Sequence, residues 1–451
     1  MNLKWSQFVF QVKPKDKKDK IIFRSTLTGA TIRMGSKLKR IIDSFLEEED
    51  DDESKYPKKI RDYVNSLTKL GILIPRDTDE KKNYLSLFND IRNNDSTFGI
   101  YLVTTTDCQL RCPYCYEQNI NQKQFLNIAM ADKIILWCQK YIERNKQCKK
   151  LRVILYGGEP LLNKRIIKYI LPQLHQTAQR NNLLFDTQIV TNGVLLNPQM
   201  ALFLARHNLD RIQITIDGPP KIHDKRRIGK NGKGTFDRIF QNILNISSMG
   251  IIKKISIRIN FDKNNISAIH ELLDILALHK LQDKVDLSFG IITLTSCSEP
   301  KRKYKKNYID LYGFNDSENA EKYLWLCKEA KERGFTIPKE FMLGPWCSTR
   351  AIHSVVIEPN GSLLKCFSGV GRKEFIFGDI NSKFTCNDPR FSDFAYLKEC
   401  LQKECPYLPI CGGGCRFEAF IHQGNIQKPY CQFNLIDKIN KGLTRLNYDK
   451  K

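Results

Sequence analysis

The 451-residue chain has no run of about 18 consecutive apolar residues, the length that a transmembrane helix needs. Its first residues also lack the apolar stretch of a secretory signal peptide. Acidic residues are few compared with basic ones, 49 against 73, so the formal net charge is +24. The two missing apolar features predict a cytoplasmic protein without a membrane partner.

The shortage of acidic residues allows two interpretations. An AT-rich genome encodes many lysines without functional consequence, whereas a functional positive excess would attract nucleic acid or an acidic peptide. The lysines are scattered, and we find no basic helix with interleaved aromatic residues. The charge alone does not decide between these interpretations, although nucleic acid is the less expected partner.

Cysteine, by contrast, is abundant, with 15 residues in the chain. In an intracellular protein, cysteines indicate metal ligands before disulfides. Cys108, Cys112 and Cys115 form a C-x3-C-x2-C motif directly after a β-rich apolar run at 100–105. A structural zinc site normally uses four ligands in two pairs. Three thiolates on one loop instead suit three irons of a [4Fe–4S] cluster and leave the fourth iron open for chemistry, with zinc as the alternative.

The motif, with Tyr114 just before its third cysteine, resembles the radical S-adenosylmethionine (radical SAM) superfamily. The resemblance implies that the open iron chelates SAM and that an electron from the cluster cleaves SAM to a 5′-deoxyadenosyl radical. It therefore assigns catalytic and metal-binding roles to Cys108, Cys112 and Cys115.

Strands and helices alternate in the middle of the chain. Six β-rich apolar runs predict strands near 101–105, 152–156, 187–191, 211–216, 254–260 and 286–292. Such alternation predicts an α/β fold with a parallel sheet. The resemblance implies that this sheet curls into a partial (β/α)6 barrel spanning residues 96–300.

Several motifs fall at predicted strand ends, where the reactive loops of α/β folds gather. The sequence GGEP begins at Gly157, TNG begins at Thr191, and Arg258 lies near the end of the fifth predicted strand. The resemblance implies that GGEP receives the SAM amino group and that Thr215 contacts the ribose. Arg258 either binds the SAM carboxylate or forms a salt bridge in the barrel wall. The expected SAM-binding residues are Tyr114, Gly157, Gly158, Glu159, Thr191, Asn192, Thr215 and Arg258.

A second set of cysteines follows residue 341 and resembles the SPASM domain, which holds two auxiliary [4Fe–4S] clusters. One departure is that four residues separate Cys400 from Cys405 where SPASM has C-x2-C, so that either the loop is longer here or Cys400 is not a ligand. The resemblance implies an inner cluster on Cys347, Cys366 and Cys415, and an outer cluster on Cys400, Cys405, Cys411 and Cys431. The fourth inner ligand is Cys386, Cys327 or Cys297, or else the position is open.

The remaining cysteines have simpler interpretations. Cys138 and Cys327 lie on apolar helical stripes, which predicts small buried side chains. Cys148 lies between lysines and is predicted to be exposed.

Residues 1–95 are predicted to form a separate α+β module that is winged-helix-like. Strands near 8–12 and 21–24, two amphipathic helices and a short strand at 72–75 support this interpretation. Similar regions of radical SAM enzymes bind a leader peptide by adding it to a sheet as an extra strand. A packing domain that binds no ligand is an equal alternative. A linker helix region at 301–340 and the SPASM domain at 341–451 complete the expected organisation.

Taken together, the resemblances imply a radical SAM peptide maturase that modifies a ribosomally synthesised precursor peptide. The product would be a thioether, a carbon–carbon crosslink or an epimerised residue, with flavodoxin or ferredoxin as electron donor. The alternative is a sulfatase-maturing enzyme that generates formylglycine. A more remote alternative, a zinc-binding nucleic-acid protein, leaves GGEP and the six strand–helix units unexplained.

Overall fold

The computed structural model describes residues 2–14, 19–47, 56–117, 123–293, 311–342, 347, 349–381, 385–392 and 395–448. Its strands are β1 (Leu3–Trp5), β2 (Val9–Val12), β3 (Lys20–Ser25), β4 (Thr31–Gly35), β5 (Leu73–Pro75), β6 (Thr97–Thr105), β7 (Lys150–Gly157), β8 (Leu184–Thr191), β9 (Leu209–Thr215), β10 (Lys254–Phe261), β11 (Val285–Ile291), β12 (Ser354–Ile357), β13 (Ser362–Leu364) and β14 (Ile376–Asp379).

The α-helices are α1 (Ser36–Glu47), α2 (Lys58–Lys69), α3 (Glu80–Arg92), α4 (Ile128–Arg144), α5 (Lys164–Arg180), α6 (Pro198–Arg206), α7 (Pro220–Arg226), α8 (Phe236–Ser248), α9 (Ile269–Leu278), α10 (Asp316–Glu332), α11 (Pro389–Ser392), α12 (Ala395–Gln402), α13 (Leu408–Cys411), α14 (Arg416–Gln423) and α15 (Phe433–Tyr448). None of the helices in the described ranges is long and apolar enough to cross a membrane.

The central sheet has nine strands, and six of them, β6 to β11, are parallel and lie side by side in chain order. Their outer faces are almost wholly apolar because the intervening helices pack on them, as the buried side chains of Ile100, Val153 and Ile257 illustrate. All six strands predicted from the sequence are present. The prediction of an α/β fold built on a parallel sheet is confirmed.

The C-terminal region extends this sheet. Strand β12 pairs in parallel with the free side of β6, and β13 and β14 follow in antiparallel order. This extension was not predicted, because its strands are only three or four residues long. It brings the cysteine-rich region onto the open side of the parallel sheet.

The N-terminal residues form two small antiparallel sheets, β1–β5 and β2–β3–β4, with α1 and α2 packed on them. Strand β4 and helix α3 were not predicted from the sequence. The β2–β3–β4 sheet is not separate from the rest of the chain, because Phe10, Val12 and Ile22 pack against Tyr407 and Ile410 of the C-terminal region.

The main core contains Cys138, Cys148 and Cys327. Cys138 and Cys327 are buried, which confirms their prediction. The prediction for Cys148 was wrong: its side chain is only 7% exposed. The turn after α4 folds this residue against the core, and its thiol donates to the carbonyl oxygen of Lys150 at 3.4 Å, so that the flanking lysines were a misleading signal.

Candidate active site and auxiliary cysteine groups

The first cysteine loop follows the carboxyl end of β6. Backbone hydrogen bonds hold it to the segment after α7: the Arg111 amide donates to the Ile228 carbonyl at 2.8 Å, and the Lys230 amide donates to the Gln109 carbonyl at 2.8 Å. Cys108, Cys112 and Cys115 lie together in one small cluster with Leu110. The loop is thus anchored at both sides before any cofactor binds.

The three thiols of this loop share a poorly solvated environment. Burial, together with negative charge on Glu159 and Cys112, raises the pKa of the Cys108 thiol to about 12. Burial also raises the pKa of Cys112 and Cys115, and the charges of the neighbouring thiols add to the effect on Cys115. Without a metal the three groups therefore hold their protons at neutral pH, and binding as thiolates releases those protons.

The GGEP loop packs directly on the backbone before Cys108. The amides of Gly158 and Glu159 donate to the carbonyls of Thr105 and Asp107, at 3.1 and 2.8 Å. A Cβ at Gly157 would collide with the Thr105 carbonyl, and one at Gly158 with the Asp107 carbonyl. Gly157 also has a φ of +124°, which only glycine adopts without strain. These glycines are therefore required for the two loops to meet.

The carboxylate of Glu159 is fully buried and bonded on both oxygens. One oxygen accepts from the Leu161 amide at 3.0 Å and from the Thr191 hydroxyl at 2.7 Å, and the other accepts from the Asn192 amide at 2.7 Å. Burial raises the pKa of this group, while the bonds from Asn192, Thr191 and Leu161 oppose the rise. Its side chain thus joins the GGEP and TNG motifs.

Asn192 continues this connection to the cysteine loop. Its amide nitrogen Nδ2 donates to the Cys108 sulfur at 3.6 Å, and its Oδ1 accepts from Gln109 Nε2 at 3.2 Å. The three motifs that the sequence places at residues 108–115, 157–160 and 191–193 are therefore one hydrogen-bonded unit.

Tyr114, a residue of the cysteine loop, lies in a buried network of charges. Its hydroxyl donates to Asp217 and accepts from Arg227 Nη1, the latter at 2.7 Å. Arg226 stacks over the ring at 5.1 Å and pairs with Asp262 at 2.9 Å. The hydroxyl is thus committed to protein partners, and any contact with SAM has to come from other atoms of the residue.

Thr215 and Arg258 lie side by side on neighbouring strands. Thr215 ends β9 and is paired in register with Arg258 of β10. The Arg258 guanidinium donates to Asn260 Oδ1 at 3.0 Å and to Ser288 Oγ at 3.1 Å, both neutral oxygens. These contacts are not the barrel-wall salt bridge considered as an alternative. The SAM contacts proposed for both residues stay predictions.

The outer cysteine group surrounds one cavity of about 340 Å³, lined by Cys400, Cys405, Cys411 and Cys431. Burial raises the pKa of Cys400 to about 11, and negative charge on the other three cysteines contributes. The longer spacing therefore does not remove Cys400 from the group: the last turn of α12 and the loop after it bring Cys400 and Cys405 to the same cavity. Four thiol donors around one cavity fit a fully ligated [4Fe–4S] cluster.

The inner group joins cysteines from three separate segments. Burial raises the pKa of Cys366 well above its usual value, and negative charge on Cys347 and Cys415 adds to the rise. Cys386 and Cys327, the candidate fourth ligands, lie in the main core beside Tyr141 and Tyr323 respectively. Cys297 lies outside the described residues. Three donors fit a cluster whose fourth position is filled by another cysteine or is open to a non-protein ligand.

A single metal ion, unlike a four-iron cluster, needs ligands that converge on one point. Within the described ranges, no group of three or more His, Cys, Asp or Glu side chains is arranged to hold one ion. A four-iron cluster binds each thiolate at a different iron, so its ligands need not converge on one point.

Sequence reasoning missed the polar groups that support these cysteines. Arg227, which bonds to Tyr114, and Arg350, which bonds to the CGGGC loop, were not singled out. Tyr116 and Tyr156, whose hydroxyls bond to each other between Cys115 and Cys366, were also missed as a pair. Proximity to a motif was the only available signal, since their partners are distant in sequence.

Comparisons with known proteins agree with this geometry. Residues 102–276 match the family model described as the radical SAM superfamily. A cysteine-type anaerobic sulfatase-maturating enzyme of Clostridium novyi (strain NT) is 26% identical over 377 residues, covering 77% of this chain and 95% of that protein. The solved structure of anSMEcpe with bound AdoMet and Kp18Cys peptide has a TM-score of 0.59 at 16% identity and covers 77% of this chain and 97% of its own. Streptococcus suis SuiB bound to precursor peptide SuiA has a TM-score of 0.54 at 14% identity, covering 96% and 100%.

The chain contains a radical SAM domain over residues 102–276, and its mostly parallel sheet is consistent with the partial barrel of that superfamily. Within the superfamily it is similar, over most of its length, to the SPASM-type anaerobic sulfatase-maturating enzymes. The predicted family and its cofactors, a [4Fe–4S] cluster and SAM, are confirmed. The assignment of individual ligands and SAM contacts stays a prediction.

Replacing Glu159 by glutamine should loosen the unit formed by the three motifs. The amide keeps the size but puts a donor against at least one of the donors that the carboxylate now accepts from, so we expect a loss of about 1–3 kcal/mol. Urea denaturation of the metal-free protein measures this loss. Glu332→Gln, on an exposed helical face, is the matched control and should change little. Equal stability of the Glu159 variant and the wild type would contradict the bridging role.

Proposed function

We propose that this enzyme is a peptide maturase that modifies a ribosomally synthesised precursor peptide, forming a thioether or carbon–carbon crosslink or inverting a residue. The observation that supports the proposal is the share of this chain that each of two solved structures covers. The fold of SuiB, solved with a precursor peptide, extends over 96% of this chain, whereas that of anSMEcpe extends over 77%. About a fifth of the chain thus has a counterpart in the first structure and none in the second.

The division of labour in the site follows from its contacts. A bound cluster and SAM would supply a 5′-deoxyadenosyl radical, which abstracts hydrogen from the peptide. Cys108, Cys112 and Cys115 would hold that cluster, and Glu159 would fix the GGEP backbone where the SAM amino group binds. The inner and outer cysteine groups would hold the auxiliary clusters that take up the surplus electron.

The N-terminal sheet offers a place for a leader peptide. Strand β4 is an edge strand, with β3 as its partner on one side, and an extended peptide binds such an edge through backbone hydrogen bonds. The net charge of +24 suits an acidic leader. A flavodoxin or ferredoxin as electron donor and a cytoplasmic location belong to the same proposal.

The second candidate is a sulfatase-maturing activity that oxidises Cys or Ser to formylglycine. It is favoured by the similarity to the Clostridium novyi enzyme, 95% of which is covered. The two candidates share SAM cleavage and differ in substrate.

Iron analysis tests the cluster assignment. After anaerobic reconstitution we expect about twelve irons per chain, falling to about eight when Cys108, Cys112 and Cys115 are all replaced by alanine, with loss of 5′-deoxyadenosine formation. Replacing Cys138 and Cys148 by alanine is the control and should leave the iron content unchanged. About eight irons in the wild type, or zinc in place of iron, would contradict three clusters.

Mass spectrometry separates the two candidate functions. We expect a small peptide encoded beside the gene to lose two hydrogen atoms per crosslink, or to exchange a hydrogen on epimerisation in deuterated water, in a SAM-dependent reaction. A synthetic peptide with a sulfatase-type cysteine should remain unchanged. Formylglycine on the sulfatase peptide, with no change in the encoded peptide, would replace the proposal by its alternative.

Salt dependence tests the leader site. Because screening weakens exposed charge interactions, affinity for the same encoded peptide should fall as ionic strength rises. Arg33→Glu on β4 should weaken binding further at low salt, whereas Arg165→Glu, on α5 of the barrel, should not. Fluorescence anisotropy of a labelled peptide gives both results. An affinity independent of salt and of Arg33 would count against an acidic leader on β4.

A further inference from the structure

Arg350 connects the two auxiliary cysteine groups. Its backbone amide donates to the carbonyl of Cys347, an inner cysteine, at 2.9 Å. Its Nη2 donates at 2.8 Å to the carbonyl of Gly414, which lies between Cys411 of the outer group and Cys415 of the inner group. One residue thus contacts the backbone of an inner cysteine and of the loop that joins Cys411 to Cys415.

The guanidinium of Arg350 is buried, and only some of its N–H donors are hydrogen-bonded. Its side chain is 5% exposed, yet Nε and Nη1 have no hydrogen-bond acceptor within the described part of the chain. The ring of Phe88 lies 5.8 Å from the guanidinium carbon and provides no hydrogen-bond acceptor. Buried donors without a partner are destabilising, so an acceptor is expected at this position.

Arg416, the other buried arginine near these cysteines, shows a different pattern. Its Nη1 donates to the carbonyls of Ile426 and Lys428 at 3.1 and 2.7 Å, and its Nη2 donates to the Gly414 carbonyl at 3.1 Å. Those contacts describe a structural brace of the loop. Arg350, with one carbonyl partner, keeps more of its donors for a group that the protein alone does not supply.

The surroundings of Arg350 indicate what that group is. Its positive charge acts on the Cys411 thiol and opposes the rise in pKa that burial causes there. It also lines a cavity of about 360 Å³ together with Cys347. Thiolate and sulfide sulfurs of iron–sulfur clusters are the anionic acceptors that these cysteines would bring within its reach.

We propose that Arg350 donates its free N–H groups to sulfurs of the auxiliary clusters and raises the reduction potential of at least one of them. The inference rests on the proposed function, which assigns clusters to the C-terminal cysteines. Reduction adds negative charge to a cluster, and a nearby cation with hydrogen bonds to sulfur stabilises the reduced form. Such a cluster accepts an electron from the peptide radical more readily.

The test is a redox titration of the reconstituted full-length protein, followed by electron paramagnetic resonance. In Arg350→Gln, the equilibrium constant for reducing one auxiliary cluster should fall at least tenfold, which is 59 mV for a one-electron couple. Arg152→Gln is the matched control. Arg152 lines the same cavity, but its charge is balanced by Asp186 at 2.8 Å, and Lys150 at 3.1 Å would still pair with that carboxylate.

The iron content distinguishes a failure of the proposed function from a failure of the inference about Arg350. Absence of iron from the C-terminal cysteines in the wild type would overturn the proposed function, whereas unchanged potentials in a fully loaded Arg350→Gln variant would overturn this inference alone. Should the glutamine variant fail to load, Arg350→Lys carries the test. Lysine keeps the charge but lacks the Nε donor and the fork geometry, so a smaller fall in potential is expected, and no fall would contradict the inference.

Discussion

The site depends on one buried carboxylate. Glu159 accepts hydrogen bonds from Leu161, Thr191 and Asn192, and Asn192 in turn donates to Cys108. A carboxylate removed from water is costly unless its oxygens are bonded, and here both are. That requirement links the ends of three neighbouring strands, so the loop that would carry the catalytic cluster and the loop that would receive SAM have a fixed relation before either cofactor is present.

Contacts between segments that are distant in sequence also position the C-terminal region. The N-terminal sheet packs through Phe10 and Ile22 onto Tyr407 and Ile410, next to the outer cysteines Cys405 and Cys411. Strand β12 joins the C-terminal region to the barrel sheet. The outer cysteine group therefore lies where the N-terminal sheet packs on the C-terminal region.

The sequence predicts the parallel core well because its signals are local. Apolar runs such as 254–260 identify strands, and GGEP and TNG identify their ends by position alone. The prediction fails where tertiary contacts determine the structure. Cys148 is buried by a turn that folds onto the core, and β12 is too short for a sequence pattern to predict that it pairs with β6. The partnership of Arg350 with Gly414 spans 64 residues and leaves no local pattern.

The central claim is that one of three cysteine groups forms a SAM site while the other two do not. Electron paramagnetic resonance of the reduced, reconstituted enzyme with and without SAM tests it most directly. The account predicts that SAM changes the signal of a single cluster and that this response disappears when Cys108, Cys112 and Cys115 are replaced, while the auxiliary signals remain. Signals that are all unaffected by SAM, or a response that survives the replacement, would contradict it.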